Sequence, residues 1–240
     1  MTSVFRARGV SVSFGGVRAV AGVDLEIQAG ELVGLIGPNG AGKTTFIDAI
    51  TGFVRSEGTV ELGETTLDGL APHVRAQRGL ARTWQTVELF DDLTVRENLT
   101  VAAKGGKDAS VDEELKLLDL VDAADSMPWE LTQAERKRAG IGRALVARPR
   151  LLCLDEPAAG LDVRQSKEFG ALLPGIARTG TAVLLVDHDM GLVLSVCDRV
   201  VVLESGAVIA QGTPAEIRGD ERVVAAYLGH ASAGTTGASS

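Results

Sequence analysis

The sequence predicts an α/β fold. A mainly parallel sheet is entered through an N-terminal antiparallel β subdomain and interrupted by a helical insertion. Three observations predict it. Residues 4–28 alternate apolar and polar positions, with Val10, Val12 and Phe14 and then Val23, Leu25 and Ile27 on one face, the period of half-buried antiparallel strands. The runs LVGLIG (32–37), LLCLD (151–155) and AVLLVD (182–187) are continuously apolar, which suits strands covered on both faces. Helical patterns separate these runs, one after Lys43, one over 132–148 and one over about 163–178.

The remaining elements follow in chain order. Between Gln85 and Gly140 strand runs vanish; LTVRENLTVAA (93–103) and VDEELKLLDLVDAA (111–124) read as helices, with KGGKD (104–108) as the loop between them. Val111, Leu115 and Leu118 share one face of the second helix. This region is the expected insertion, about 87–140. RVVVLESGAVIAQGTPAEI (199–217) reads as a strand, a Ser-Gly turn, a strand and a helix starting near Pro214. One domain is expected over 1–229. The end, GHASAGTTGASS, holds too little apolar area to order itself, so a disordered tail is expected over 230–240.

Composition narrows the function. The chain has 240 residues, 45% of them hydrophobic and 23% charged, enough for a sizeable core. A net charge of −8 argues against nucleic acid as a partner. No apolar stretch approaches the roughly 18 residues needed to span a bilayer. The start, MTSVFRARGV, lacks the apolar centre of a secretory signal. The cysteines, Cys153 and Cys197, lie in apolar strand-like runs and read as buried thiols, and the three histidines show no ligand spacing. A cytoplasmic protein without a structural metal is expected.

GPNGAGKT (37–44) carries the chemistry. It matches G-x-x-x-x-G-K-[ST] between an apolar strand and a helix pattern. Gly37, Gly40 and Gly42 let the backbone turn tightly, so that its N–H groups can face phosphate oxygens. The helix beginning near Lys43 adds its positive end. Lys43 is expected on the β- and γ-phosphates and the Thr44 hydroxyl on Mg²⁺. LLCLDE (151–156) is the natural partner: Asp155 ends a strand beside the phosphate loop and would hold Mg²⁺, mostly through water. Glu156 is placed to act as general base on the attacking water. Together these motifs define a P-loop NTPase core that hydrolyses a nucleoside triphosphate or transfers its phosphoryl group.

The order of elements over about residues 4–229 resembles the ATP-binding subunit of ABC transporters. GPNGAGKTT is similar to that family's Walker A motif, so the resemblance places ATP against Gly37, Pro38, Asn39, Gly40, Ala41, Gly42, Lys43, Thr44 and Thr45. LLCLDEP is similar to its Walker B motif and following glutamate. GLARTWQ (79–85) resembles the Q-loop, which would make Gln85 the residue that senses Mg²⁺ and the membrane partner. AAGLD (158–162) resembles the D-loop, with Asp162, and VDHDM (186–190) the H-loop, with His188 toward the γ-phosphate. Phe14 falls where the family stacks an aromatic on adenine. Read singly, Phe14 is by default core, while Gln85 and His188 are ordinary polar surface. Rival NTPases fit worse: there is no N-K-x-D base-reading motif, no arginine-rich lid and no long coiled-coil insertion.

The subfamily resemblance is finer. GPNGAGKTTFIDAITGFVRSEGTV, GLARTWQTVELFDDLTVRENL and TPAEIRGDERVVAAYLG are similar to the branched-chain amino acid uptake group. That resemblance implies transmembrane permease subunits, a second ATP-binding subunit in a homo- or heterodimer, and indirectly an extracytoplasmic solute-binding protein. It implies a position on the cytoplasmic face of the cell membrane. The segment after Gln85 and the insertion would meet the permease. Other small polar solutes, such as an amide or urea, stay open, as does a regulatory subunit with weak hydrolysis; the intact Lys43, Asp155, Glu156 and His188 argue against the latter.

One element departs from the family. Its L-S-G-G-Q signature, which contacts ATP on the partner subunit, is here Leu131, Thr132, Gln133, Ala134 and Glu135. Thr132 and Glu135 form T-x-x-E, a capping box that explains both without nucleotide. Ala134 adds a methyl where the family's backbone nears phosphate, and Glu135 brings negative charge unless it turns back into the cap. The expectation is asymmetry: ATP on this chain's own loop turns over, whereas ATP on the partner faces LTQAE and turns over slowly.

Overall fold

The computed structural model describes residues 3–86, 88–103 and 108–233, and the side chains among them except at 108–110 and 228–233. The first half carries β1 (Ser3–Phe14), β2 (Val17–Gln28), β3 (Leu32–Ile36), α1 (Lys43–Thr51), β4 (Glu57–Leu62), β5 (Thr65–Thr66), α2 (Pro72–Gln77) and β6 (Leu80–Arg82). Next come α3 (Val95–Ala102), α4 (Asp108–Leu117), a short 3₁₀ turn at Pro128–Glu130, and α5 (Gln133–Leu145). The rest is β7 (Leu151–Asp155), α6 (Val163–Arg178), β8 (Ala182–Val186), α7 (Met190–Val196), β9 (Arg199–Glu204), β10 (Ala207–Gly212), α8 (Pro214–Gly219) and α9 (Glu221–Ala233).

Two sheets result. An antiparallel one runs β2-β1-β4-β5, and a second runs β10-β9-β3-β8-β7-β6. In the second, β9, β3, β8, β7 and β6 are parallel and β10 pairs antiparallel with β9. The apolar runs form its centre, with every residue of β3, β7 and β8 buried. Side chains of β7 alternate between two cores. Leu151 and Cys153 join Phe5, Phe46 and Ile50 on the α1 side. Leu152 and Leu154 join Leu99, Leu115 and Phe169 on the other. Both faces are thus covered, which is why these strands carry no polar alternation. Their carboxyl ends converge on one edge, where Asp155 and Asp187 sit.

The structure corrects the sequence reading in several places. The helix expected over 111–124 stops at Leu117. Leu120 N–H donates to the Leu115 carbonyl and Asp119 N–H to that of Lys116, with Asp119 at φ 54. That is a Schellman ending, closed by Leu115 and Leu120 in the same core. β4, β5, α2 and β6 lie in a stretch where no element was expected. β5 has 2 residues and β6 has 3, too few for a periodic signal. Helix α9 runs on to Ala233, through 230–233 where a disordered tail was expected. Residues 234–240 of that tail lie outside the described residues, as do 104–107 of the expected KGGKD loop. Cys197 caps the C-terminus of α7 rather than lying in a strand. Both cysteines are buried and free. Burial pushes the Cys153 thiol up to about 12 and the Cys197 thiol higher still.

Candidate ATP site

The loop between β3 and α1 is built to leave donors open. Gly42 is the N-cap of α1 at φ 101 and no side chain caps the helix. The unfilled N–H groups of the first turn therefore face outward. Gly42 is required twice over: its φ is left-handed, and a Cβ there would collide with the Ala19 carbonyl of β2. At Gly37 a Cβ would strike the Leu203 carbonyl at the end of β9. Asn39 and Gly40 are exposed at the tip, while Pro38 and Ala41 are buried beneath it. Lys43 Nζ donates to the Gly37 carbonyl at 2.7 Å and the Pro38 carbonyl at 3.1 Å, leaving one N–H to spare. Burial lowers the Lys43 pKa, and Glu156, Asp155 and Asp187 oppose that shift. Thr44 is exposed and Thr45 half-buried on the first turn.

The facing wall is acidic. Asp155 ends β7, and its Oδ2 accepts from Arg82 Nη2 at 2.8 Å. Glu156 follows at φ 46, a left-handed backbone that costs a non-glycine residue about 1 kcal/mol or more. Its N–H donates to the Val186 carbonyl at 2.7 Å, which anchors the turn on β8. Gln85 Nε2 donates to Glu156 Oε2 at 3.0 Å, and His188 Nδ1 lies 3.8 Å from that same oxygen. Gln85, Glu156 and His188, separate in sequence, are thus brought together. Phe14 is not core: it is 54% exposed at the end of the β1–β2 hairpin.

The donor set fits a nucleotide with Mg²⁺. The open helix start suits phosphate. Mg²⁺ needs few protein oxygens when phosphates supply the rest. Asp155 keeps one carboxylate oxygen clear of Arg82, and the Thr44 hydroxyl has no hydrogen-bond partner among the described residues. Among the described residues no group of three or more His, Cys, Asp or Glu side chains is placed to hold a metal ion by itself.

LTQAE starts α5. Thr132 Oγ1 accepts from Glu135 N–H at 3.3 Å, and Glu135 Oε2 accepts from Thr132 N–H at 2.8 Å and Thr132 Oγ1 at 2.7 Å. The Glu135 carboxylate is therefore turned back into the cap. Ala134 is buried, so its methyl points into the protein, and its φ is not left-handed. Gln133 is exposed, and its amide lies over Gly160 of AAGLD. Asp162 caps α6, accepting from Gln165 N–H at 2.8 Å.

Sequence reasoning missed three charged groups. Arg82 on β6 bridges Asp155 and Asp48 of α1, the latter at 2.5 Å. Lys137 on α5 is buried near Asp187; burial lowers its pKa and Asp187 opposes this. Asp187 is 1% exposed, and its Oδ2 has no partner among the described residues. The signal for Arg82 was an arginine inside a short strand, next to one ending in an acid. Arg82, Trp84, Gln85, Lys137 and Arg143 line a cleft of about 700 Å³ beside this wall.

An open helix start on a glycine loop, faced by a strand-end aspartate, a glutamate, a glutamine and a histidine, defines a P-loop ATPase. Comparison with known proteins narrows the class. The family model described as "ABC transporter" matches residues 20–159, and that of "Branched-chain amino acid ATP-binding cassette transporter" matches residues 207–233. The chain belongs to the ABC transporter ATP-binding family. It is 38% identical to LivG of Salmonella typhimurium, a high-affinity branched-chain amino acid transport ATP-binding protein, covering 93% of this chain and 96% of that one. It is 36% identical to BraF of Pseudomonas aeruginosa, of the same description, covering 95% and 98%. Identity to LptB of Escherichia coli, a lipopolysaccharide export system ATP-binding protein, is 35% over 93% and 96%. Among solved structures, the ADP conformation of the ATP-binding cassette MJ1267 superposes with a TM-score of 0.86 at 27% identity, covering 95% and 100%. Subunits of this family bind ATP and work as pairs with transmembrane permeases. Among the described residues no helix is long and apolar enough to cross a membrane.

Proposed function

We propose that this chain is the ATPase that drives uptake of branched-chain or other small amino acids through a pair of permeases, on the cytoplasmic face of the membrane and supplied by an extracytoplasmic solute-binding protein. The approach of Gln85 and His188 to one carboxylate oxygen of Glu156, together with the open start of α1, carries the catalytic half of this reading. The names of LivG and BraF carry the solute.

ATP lies along the loop from Gly37 to Thr45, with adenine on the exposed Phe14 ring. Lys43 releases its loop carbonyls and turns to the β- and γ-phosphates. Mg²⁺, when bound, offsets phosphate charge, and Thr44, Asp155 and Gln85 are the residues that would hold it. Glu156 takes the proton of the attacking water as the water oxygen bonds to the γ-phosphorus. The bond from that phosphorus to the bridging oxygen breaks, and ADP leaves with that oxygen. Gln85 and His188 keep the Glu156 carboxylate aimed and steady the γ-phosphate. Thr132 and the start of α5 face ATP bound on the partner subunit, with Gln133, Ala134 and Glu135 shaping that surface and Asp162 beside it. The cleft next to Gln85 receives the permease.

The test reconstitutes the chain with its permeases and second ATPase subunit in vesicles. Glu156→Gln should abolish most ATP turnover and leucine uptake while retaining ATP binding. Turnover that survives in Glu156→Gln sinks the catalytic assignment. Binding without turnover in the unmodified complex favours a regulatory subunit, and ATP-dependent uptake of an amide or urea in place of leucine replaces the solute.

A further inference from the structure

Arg82 belongs to neither GPNGAGKTT nor LLCLDE, yet it ties the helix that follows the first to the aspartate of the second. Its side chain is 5% exposed. One terminal nitrogen donates to Asp48 on α1, the helix that opens on the phosphate loop, and the other to Asp155 at the end of β7. The fork is fixed by backbone pairing, because Arg82 on β6 lies opposite Cys153, two residues before Asp155. The flat face of the same guanidinium is covered by aromatic rings. Its central carbon lies 4.1 Å from the Trp84 ring centre and 5.8 Å from that of Phe53. The two rings pack edge-to-face at 5.0 Å. Trp84 is 50% exposed and lines the cleft beside Gln85.

We propose that Arg82 is a positioning residue that couples the cleft to Asp155: the guanidinium that fixes one Asp155 oxygen, and so aims the other toward Mg²⁺, is also the platform on which Trp84 rests. Binding Asp155 Oδ2 sets the rotamer of the carboxylate and leaves Oδ1 for the metal or its water. A ligand's second partner of this kind orients the ligand and tunes its basicity. Any shift of the fork moves the surface under Trp84. By linkage, what seats on Trp84 alters metal binding as much as metal alters Trp84. A lysine cannot substitute, since it has neither the fork nor the flat face. This inference rests on the ATP-site reading above.

The test uses the full chain with Trp129→Phe, which leaves Trp84 as its single tryptophan. The chain is loaded with a non-hydrolysable ATP analogue, and Mn²⁺ binding is read by electron paramagnetic resonance while Mg²⁺ is titrated against Trp84 emission. The expected result is a metal-dependent change in Trp84 emission. Arg82→Lys should lose that change and bind Mn²⁺ about tenfold more weakly, by analogy with other outer-shell partners of metal ligands. Nucleotide affinity without metal should be unchanged. Trp84→Leu, which leaves both ion pairs intact, should weaken Mn²⁺ binding in the same direction by a smaller factor. Unchanged Mn²⁺ affinity in both variants, or a Trp84 signal blind to metal, overturns the proposal while leaving the ATP site standing. A parent chain that binds analogue but no metal, matching Asp155→Asn, overturns both readings.

Discussion

Two helix starts in this molecule do opposite things with the same chemistry. Each leaves N–H groups without intrahelical partners. At α5 the chain fills its own vacancies: Thr132 and Glu135 satisfy one another's backbone in a capping box. At α1 it declines to, placing Gly42 at the cap with no side chain to accept. The self-capped design recurs at α3, α6 and α8, through Thr94, Asp162 and Thr213. α2 also starts without a side-chain cap, at Ala71, but there Pro72 removes one of the open N–H groups; the open start of α1 is the one faced by Lys43, Asp155 and Glu156. A helix that satisfies itself is architecture, and one that leaves its donors to an outside anion is a site.

The largest break in this contrast is Lys43→Ala. It removes the ammonium proposed to reach the phosphates, and turnover should fall on the order of a hundredfold or more, as for loss of a preorganised charge donor. Phosphate release from the assembled complex checks it, and an undiminished rate would remove Lys43 from the site. Gly42→Ala comes next. It forces an L residue into φ 101 against the Ala19 carbonyl. Thermal unfolding should report a loss of about 1–3 kcal/mol from backbone strain alone, and titration calorimetry should show no ATP binding.

The α5 start answers differently. Thr132→Ala should cost about 1 kcal/mol of stability, the usual worth of an N-cap, while ATP affinity on the chain's own loop stays put. A loss of that affinity would blur the distinction between the two starts. Gln133→Gly, the exposed departure from the family signature, should raise turnover of the partner-bound ATP by less than about tenfold. No rise would trace any asymmetry to another residue.

The smallest effect concerns pH. Backbone and hydroxyl hydrogen bonds from Thr94 and Thr213 hold Glu97 and Glu216 below the usual carboxylate range. A lowered folded pKa gives stability that is complete above the unfolded value of about 4.3 and is lost as pH falls through the lowered one. Circular dichroism during acid titration should show the helix signal softening there. The double variant Glu97→Gln and Glu216→Gln should flatten that step, and an unaltered slope would assign it to other carboxylates.

Much of this was readable from the chain, and for a physical reason. The runs at 32–37, 151–155 and 182–187 are apolar throughout because both faces of the sheet are covered, and GPNGAGKT is local, so its geometry is its sequence. Thr132 was legible as a cap by spacing alone, whereas the capping of α6 by Asp162 emerged only from the fold. Arg82 was not. Its meaning depends on β6 pairing with β7, a contact 73 residues away in sequence from the aspartate it holds. The end of α4 was misread because leucines beyond Leu117 continue the helical pattern, while the left-handed Asp119 that breaks it carries no periodic signal. Ala134 looked like an intrusion on the partner's nucleotide because sequence position does not say which way a helix is turned. In the fold, Ala134 is buried with Lys137, Ile141 and Leu145 on the inward side of α5.

The two buried cysteines have a practical consequence for covalent chemistry. Maleimides and disulfides react with the thiolate, and with Cys153 held up to about 12 and Cys197 above it, neither offers one near neutral pH in the folded chain. A thiol introduced on the exposed position of Val121 or Val163 would therefore take a dye or spin label alone. Within this chain, distance labels can then be placed without removing Cys153 from the strand that carries Asp155.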